Sequence, residues 1–423
     1  MTPSIRLLAR RRFLPLFATQ FLGAFNDNLF KTSMVLIATF EIYSNPEVEA
    51  GFNALATGLF TLPFFLLSAL SGQLADTRDK ARIVRLVKTF EIAIMVVGAT
   101  GLLLQAIPVM LAAVLAMGVH STFFGPIKYA ILPQHLEPDE VLGGTGLVEA
   151  GTYMAILAGT ILAGFIDSKA AAMIVLGVAL LGWLTARQVP PAPPIGTDLP
   201  PLDFHIIRSS IALVSGTMHI PRLFLAICSI SFFWTIGAVL IIEFPPLVKN
   251  VFTADERVAS LFLAIFSVGV AIGSVAINRL LGGKVSARFA PASVIAMGGF
   301  VLFMYFVAKG WEGLPGGRLY GLVEFVEHPK ALLVSIALMG VAITGGMFVV
   351  PLYAFLTTTV PKDQTARTVA ANNIVNSGAM VAGALIVMAI TWIGATVLEI
   401  LLLAPAMCLV AAWLASKLHR ACD

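Results

Sequence analysis

The sequence predicts an all-α membrane protein of twelve transmembrane helices arranged as two six-helix bundles. Three observations carry this: the composition, the count of apolar segments and a proline-rich break at mid-chain. Of 423 residues, 58% are hydrophobic and only 12% charged, with a mean hydropathy of +0.93. A soluble domain carries about 25% charged residues. Apolar stretches long enough to cross a bilayer, which takes ~20 residues, run near 13–40, 52–74, 83–106, 108–127, 144–166, 170–188, 222–246, 258–280, 290–309, 331–356, 368–393 and 395–416. None shows the ten-residue alternation of an outer-membrane barrel.

The first segment holds Asn26-Asp27-Asn28 and Lys31. A charged residue at mid-bilayer costs about 2.5–3.5 kcal/mol on insertion scales, so it faces a cavity or a partner. An Asp27–Lys31 pair on one helix face would merely neutralise itself, but two flanking amides exceed what such a pair needs. Arg10-Arg11-Arg12 precedes the stretch as in a signal peptide, yet the run is too long for an h-region and contains Asp27. It reads as a retained first helix.

The second segment ends in Gly72-Gln-Leu74-Ala75-Asp76-Thr-Arg78-Asp79-Lys80-Ala-Arg82. A carboxylate in this turn suits the N-terminus of a helix, which attracts negative charge by ~0.3–1 kcal/mol. The eleventh segment starts near Gln364–Thr368 with Arg367 beside it. Asp76 could therefore meet the start of the eleventh segment, with Arg367 adding to the contact, the alternative being a solvated turn that only sets topology. In the third segment Lys88 and Glu91 stand three apart and are expected to pair. His120 in the fourth is a lone histidine, expected to be satisfied by a neighbour. Lys128 follows a Gly125-Pro126 break that bends the segment. A lysine there is a point charge for a phosphate, or it snorkels to the surface. Glu149, one turn into the fifth segment, either pairs with Lys128 or Lys31 or binds an ammonium or coupling cation.

Val189-Pro190-Pro191-Ala192-Pro193-Pro194 then forms a stiff spacer, followed by an interfacial helix over Asp203–His219. The expected domains are a bundle over 1–189, a cytoplasmic linker over 190–221 and a second bundle over 222–423. The halves read as repeats. Phe124-Gly-Pro-Ile-Lys-Tyr-Ala, leading to Ala158-Gly159, matches Phe348-Val-Val-Pro-Leu-Tyr-Ala, leading to Ala382-Gly383. This register aligns Glu149 with Asn373 and Thr152 with Asn376. Parallel halves around a midplane site are the plan of an alternating-access transporter.

Charge within the segments is uneven. The first half holds most of it; the second has Glu243, Glu399 and the amides Asn372, Asn373 and Asn376, with Asn278 and Arg279 near one end. Such a lopsided chamber suits an amphiphile, whose tail gains ~0.8 kcal/mol per buried CH₂. Phe232, Phe233, Trp234, Phe262, Phe266, Phe348 and Phe355 could supply the apolar wall. The substrate-binding candidates are Asn26, Asp27, Asn28, Lys31, Lys128, Glu149, Asn373 and Asn376. Nineteen Lys and Arg fall on the side of the N-terminus against six on the other, which places both termini in the cytoplasm. No Walker loop occurs, three cysteines give no disulfide framework, and no cofactor, metal or nucleic acid is expected. A membrane acyltransferase would want His-x₄-Asp, which neither His120 nor His135 supplies. A non-transporting scaffold for lipid enzymes would leave the polar residues free to change.

The Gly72–Arg82 stretch resembles the cytoplasmic signature of the major facilitator superfamily, with Thr77 and Asp79 departing from its basic and glycine positions; the resemblance implies a gate contact by the aspartate, which makes Asp76, Arg78 and Arg367 the candidate gating residues. Phe21-Leu-Gly-Ala-Phe-Asn-Asp-Asn-Leu-Phe-Lys31, Phe124-Gly-Pro-Ile-Lys-Tyr-Ala-Ile-Leu-Pro133 and Gly146-Leu-Val-Glu149-Ala together resemble the lysophospholipid transporter family within it. The chain looks especially like the transporter module that some bacteria fuse to an acyltransferase and acyl-carrier-protein (acyl-ACP) synthetase. No such module follows Asp423, so either a stand-alone or an excised transporter is expected. The resemblance implies a monomeric flippase, not an enzyme. It would move lysophosphatidylethanolamine and lysophosphatidylglycerol from the outer to the inner leaflet of the bacterial inner membrane for reacylation. It implies polar-site roles for Asp27, Lys128 and Glu149. Some members carry an arginine in the seventh helix, around Ile241; Glu243 stands nearby here. The alternative is a cation-coupled drug or small-solute exporter of the same fold.

Overall fold

The computed structural model describes residues 5–38, 42, 46–195, 201–314 and 318–422. The end of the expected first segment, part of the linker and the middle of the loop 309–330 lie outside the described residues. A 3₁₀ turn, Ile5–Ala9, precedes α1 (Leu14–Ile37), α2 (Pro46–Thr77), α3 (Lys80–Leu104), α4 (Ile107–Ala130), α5 (Leu132–His135), α6 (Val141–Ala163), α7 (Ser168–Ala186) and α8 (Ile206–Met218). The chain continues through α9 (Pro221–Pro246), α10 (Glu256–Leu280), α11 (Ala290–Lys309), α12 (Leu322–Glu327), α13 (Ala331–Thr358), α14 (Thr365–Trp392), α15 (Val397–Leu401) and α16 (Leu403–Cys422). Eleven helices among the described residues are long and apolar enough to span a bilayer. α1 is the twelfth crossing: its 24 residues suffice in length, and the Asn-Asp-Asn triplet lowers its apolarity.

The chain forms two compact units. The first holds residues up to Met218 together with Leu356–Ile374, and the second holds His219–Phe355 and Val375–Asp423, so α14 contributes to both. In the first unit α1 packs on α6 and α7, α2 on α4, and α3 on α4 and α7. In the second, α16 packs on α9 and α11. The aligned repeats make the same contacts. A side chain at Gly159 would come within 2.5 Å of the Phe25 carbonyl on α1. Its counterpart Gly383 lies as closely against Thr235 on α9. Thr152 Oγ1 donates to Gln20 Oε1 at 2.9 Å, and its counterpart Asn376 accepts from Ser231 Oγ at 2.7 Å. A residue that lets two helices touch, and a polar pair that fixes their register, recur in each half.

α4 continues through the Gly125-Pro126 break to Ala130. The proline-rich spacer is hydrogen-bonded to the helices beside it. Lys80 N–H donates to the Ala192 carbonyl at 3.0 Å, Arg85 donates to the Val189 carbonyl at 3.1 Å, and Ala192 N–H donates to Asp79 Oδ1 at 3.2 Å. His135 Nε2 lies 3.3 Å from the Pro191 carbonyl, and burial holds its imidazole below the usual histidine range. The strap is thus pinned along the start of α3 and the end of α5.

α8 follows, anchored to α2 where Asp203 N–H donates to Gln73 Oε1 at 2.8 Å. Asp203 also accepts from the Arg208 guanidinium and from His205 N–H, which hold its carboxyl below the ordinary range. The helix is inverted relative to a soluble one: Ser209 and Thr217 are buried, while Phe204, Ile207 and Ile211 are exposed. An outward apolar stripe of this kind lies stably only in the headgroup–acyl boundary. Phe204→Trp should therefore show blue-shifted emission that brominated lipids quench; water-like emission unaffected by them would show the stripe faces solvent.

Aromatics pack the described residues of the loop 309–330. Trp311 stacks on His328 at 3.8 Å and on Phe325 at 5.2 Å between centroids, and meets Phe252 edge-on. A parallel bridge joins Ala254 to Tyr320. Phe262 meets Phe252 and Phe325 directly, and Phe266 joins the same layer through Phe244.

Candidate functional site

Two polar assemblies occupy the first unit. The first is at the end of α2. Asp76 is buried, and its carboxylate accepts N–H groups of Ala366 and Arg367 in the first turn of α14, each at 3.2 Å. The Arg367 guanidinium adds an ion pair at 3.2 Å. The N–H groups of a first turn have no intrahelical acceptors, so a carboxylate there satisfies them and meets the positive end of the dipole. Gly72, one turn earlier, makes the approach possible: a side chain there would come 2.6 Å from Ala370 Cβ. Asp79, at the signature's glycine position, has φ −61° and caps α3 by accepting Ala81 N–H, so the turn needs no left-handed residue. Arg78 takes no part in the contact; it is exposed and donates to the neighbouring Thr77 carbonyl.

The second assembly crosses α1, α3 and α4. Lys88 Nζ lies 2.5 Å from Glu91 Oε2, and both side chains are fully buried. Asn26 Nδ2 donates to Glu91 Oε1 at 3.1 Å, and His120 Nε2 lies 3.4 Å from Glu91 Oε2. His120 Nδ1 lies 3.5 Å from the Ser121 hydroxyl, which donates to Asp27 Oδ2 at 2.7 Å. Asp27 Oδ1 and Asn26 Oδ1 are buried and have no hydrogen-bond partner. Lys31 acts on Asp27 through its charge rather than through a close ion pair, and its ammonium lies over the Phe60 ring, 5.3 Å from the centroid. Asn28 turns back to the Ala24 carbonyl on its own helix.

Lys128, in the last turn of α4, keeps accessible surface, rests over the Tyr129 ring at 4.8 Å, and feels the charges of both Glu149 and Asp27. Glu149 itself is buried and accepts the Tyr129 hydroxyl, so it is sealed behind a tyrosine rather than open. Asn373 Nδ2 lies against Gly125, in space a side chain there would fill. Asn376 belongs to the second unit, bonded to Ser231. Asn372 is buried with neither side-chain atom hydrogen-bonded. Asp27, Lys31 and Lys128 retain accessible surface although protein atoms enclose them densely.

Sequence reasoning treated Lys88–Glu91 as a plain pair and His120 as weak, and gave Ser121 no role. The i, i+3 pair is visible in the spacing, but its links to Asp27 depend on how three helices are rotated. Of the seven candidate wall aromatics, Phe233, Phe262, Phe266 and Phe348 are buried in packing. Phe232, Trp234 and Phe355 keep surface, and Trp234 Nε1 donates to the Tyr353 hydroxyl at 2.8 Å.

Twelve crossings, repeated halves and a carboxylate bound to a helix start after the second crossing define a membrane transporter of the alternating-access class. The chain belongs to the Major Facilitator Superfamily, whose family model matches residues 16–384. It is similar to the lysophospholipid transporter LplT of Citrobacter koseri, 25% identical over 351 residues that cover 80% of this chain and 78% of the relative. The LplT of Photorhabdus laumondii is likewise 25% identical, over 83% of this chain and 81% of that one. In fold it resembles the human organic anion transporter MFSD10, with a TM-score of 0.78 at 13% identity, covering 98% of this chain and all of that one. A bacterial homologue of ferroportin in an outward-facing state superimposes with a TM-score of 0.71 at 14% identity, over 97% of this chain and all of that one.

Asp76→Ala leaves two helix N–H groups and a guanidinium without their acceptor. A loss of about 1–3 kcal/mol should lower the unfolding temperature of the purified protein, whereas Arg78→Ala should leave it unchanged. Equal behaviour of the two variants would show that the Asp76 contact contributes nothing.

Proposed function

We propose that this transporter carries lysophospholipids, lysophosphatidylethanolamine and lysophosphatidylglycerol, from the outer to the inner leaflet of a bacterial inner membrane by alternating access. Both termini lie in the cytoplasm. The observation that carries the reading is two opposite charges of the first unit that act on one another: the Asp27 carboxyl, whose Oδ1 is buried without a hydrogen bond, and the Lys128 ammonium. A head group with a phosphate and, in one substrate, an amine presents the complementary charges. A lysine is a compact cation suited to a phosphate, and Asp27 with Asn26 and Asn28 receives the amine or a coupling cation. Glu149, held by Tyr129, acts on Lys128 through its charge. Asn373 and Asn376 supply neutral contacts, and the more apolar half receives the single acyl chain. The similarity to lysophospholipid transporters over four-fifths of the chain supports the same substrate.

Asp76 with Arg367 serves as the gate contact: bound to the start of α14 it favours closure toward the cytoplasm, and its release accompanies opening. The chain acts as a monomer between its two domains, 1–189 and 222–423, joined by the linker 190–221. An acyltransferase with acyl-ACP synthetase consumes the delivered lipid.

Asp27→Ala and Lys128→Ala should each abolish uptake of labelled lysolipid by spheroplasts while the protein remains in the membrane. Normal uptake by both would remove the site assignment. In reconstituted vesicles lysolipid should move, while a diacyl lipid and a cationic dye should not. Transport of the dye without competition by lysolipid would establish the exporter alternative instead.

A further inference from the structure

The loop between α11 and α13 takes no part in the site described above, yet it carries an ordered apolar surface. Nine crossings precede it, α1–α4, α6, α7 and α9–α11, so it emerges on the face opposite the N-terminus. Within it α12 is tied down along one side. Phe325 is fully buried, stacked on Trp311 and edge-on to Phe252 and Phe262. The flanking backbone is held as well. Tyr320 exchanges hydrogen bonds with Thr253 and Asp255 at 2.7 and 3.0 Å, and Ala331 N–H, at the start of α13, donates to the His328 carbonyl at 2.9 Å. Around α12 the surroundings change in a fixed order. At about 100° per residue, Phe325 is followed by Leu322, Val326 and Val323, and these by Glu327 and Glu324. The three aliphatic residues are 37%, 61% and 69% exposed. Glu327 is exposed, and Glu324 accepts the Arg318 guanidinium at 2.7 Å. The helix therefore has a protein face, an open apolar face and a charged face in succession. A lid over an aqueous cavity would turn its whole apolar face onto the bundle. Protein, hydrocarbon and water side by side are the surroundings of a helix lying in a bilayer boundary.

The elements on either side of α12 say what covers the open face. Phe306, in the last turns of α11, and Leu332 and Ile336, in the first turns of α13, are exposed large apolar residues of membrane-crossing helices, positions that meet lipid. α12 lies between them, stacked on Trp311 just past the end of α11 and ending four residues before α13 begins. Leu319, also exposed, leads into the stripe. An apolar patch of this kind marks an interaction surface, and its neighbours on both sides face hydrocarbon. Lys309, Trp311, Tyr320 and Lys330 around it are the residue types that anchor spans at an interface. We propose that α12 is an interfacial anchor, seated at the headgroup–acyl boundary of the leaflet opposite the termini, and that bulk lipid covers Leu322, Val323 and Val326. It fastens the far end of the second unit to that leaflet instead of opening and closing over a cavity. The anchor requires only the membrane fold and not the identity of the cargo.

Full-length protein in which Cys228, Cys408 and Cys422 are replaced by serine tests this. It is given a single cysteine by Val323→Cys, Val326→Cys or Glu327→Cys, labelled with the fluorophore NBD and reconstituted in vesicles of phosphatidylethanolamine and phosphatidylglycerol. With the label at Val323 or Val326, lipid spin-labelled on its acyl chain should quench emission several-fold more strongly than iodide present on both sides of the membrane. At Glu327 the order should reverse. Stronger quenching by iodide at all three positions would show that the stripe faces water, as in a lid, and would overturn the anchor. Resistance to both quenchers at Val323 and Val326, or quenching that changes with the ratio of protein to lipid, would show that the bundle or a second copy covers the stripe, and would overturn it equally. Agreement between Val323 and Val326 guards against a label that disturbs the fold at one of them.

Discussion

The Lys88–Glu91 ion pair is the fixed point on which the polar interior of the first unit depends. Both groups are fully buried, and either alone would leave an uncompensated charge, the situation that costs several kcal/mol when one partner of a buried pair is removed. Together they are tolerated because Glu91 also accepts from Asn26 and lies against His120. The pair therefore draws α1 and α4 to α3 by their polar side chains, as Thr152 with Gln20 ties α6 to α1. Asp27 and Ser121 are placed as a consequence: Asp27 follows Asn26, Ser121 follows His120, and the two meet at 2.7 Å.

How much of this could be read from the chain depends on whether the information was local. Helix positions were legible, because each crossing is a continuous apolar run and its length is set by the bilayer. The start of α14 at Thr365 and the repeat register were legible for the same reason, from short strings with fixed spacing. Lys88 with Glu91 was legible from an i, i+3 offset. Contacts between helices were not. Tyr129 sealing Glu149, Ser121 reaching Asp27 and His120 reaching Glu91 all require the rotation of one helix against another, which periodicity in almost uniformly apolar segments does not encode. The aromatic residues misled for a related reason: on an apolar helix a phenylalanine in the core and one lining a wall have the same neighbours in sequence.

The repeats show where the two halves were allowed to diverge. Positions that set how helices touch are kept in kind: Gly159 and Gly383 face the first helix of their own half, and Thr152 and Asn376 tie to that same helix. Tyr129 and Tyr353 are both engaged through their hydroxyls, one by a carboxylate and one by an indole. The charged positions are not kept: Glu149 corresponds to Asn373, Lys128 to Leu352, and His120 to Thr344. Packing contacts must be satisfied in each half for that half to fold, so they are constrained twice. A charge must be offset wherever it is buried, and one half with a connected network can do so at lower cost than two halves with partial ones. Concentrating most of the buried ionic groups in a single bundle therefore follows from the energetics of burial, with Glu243 the buried carboxyl of the second unit.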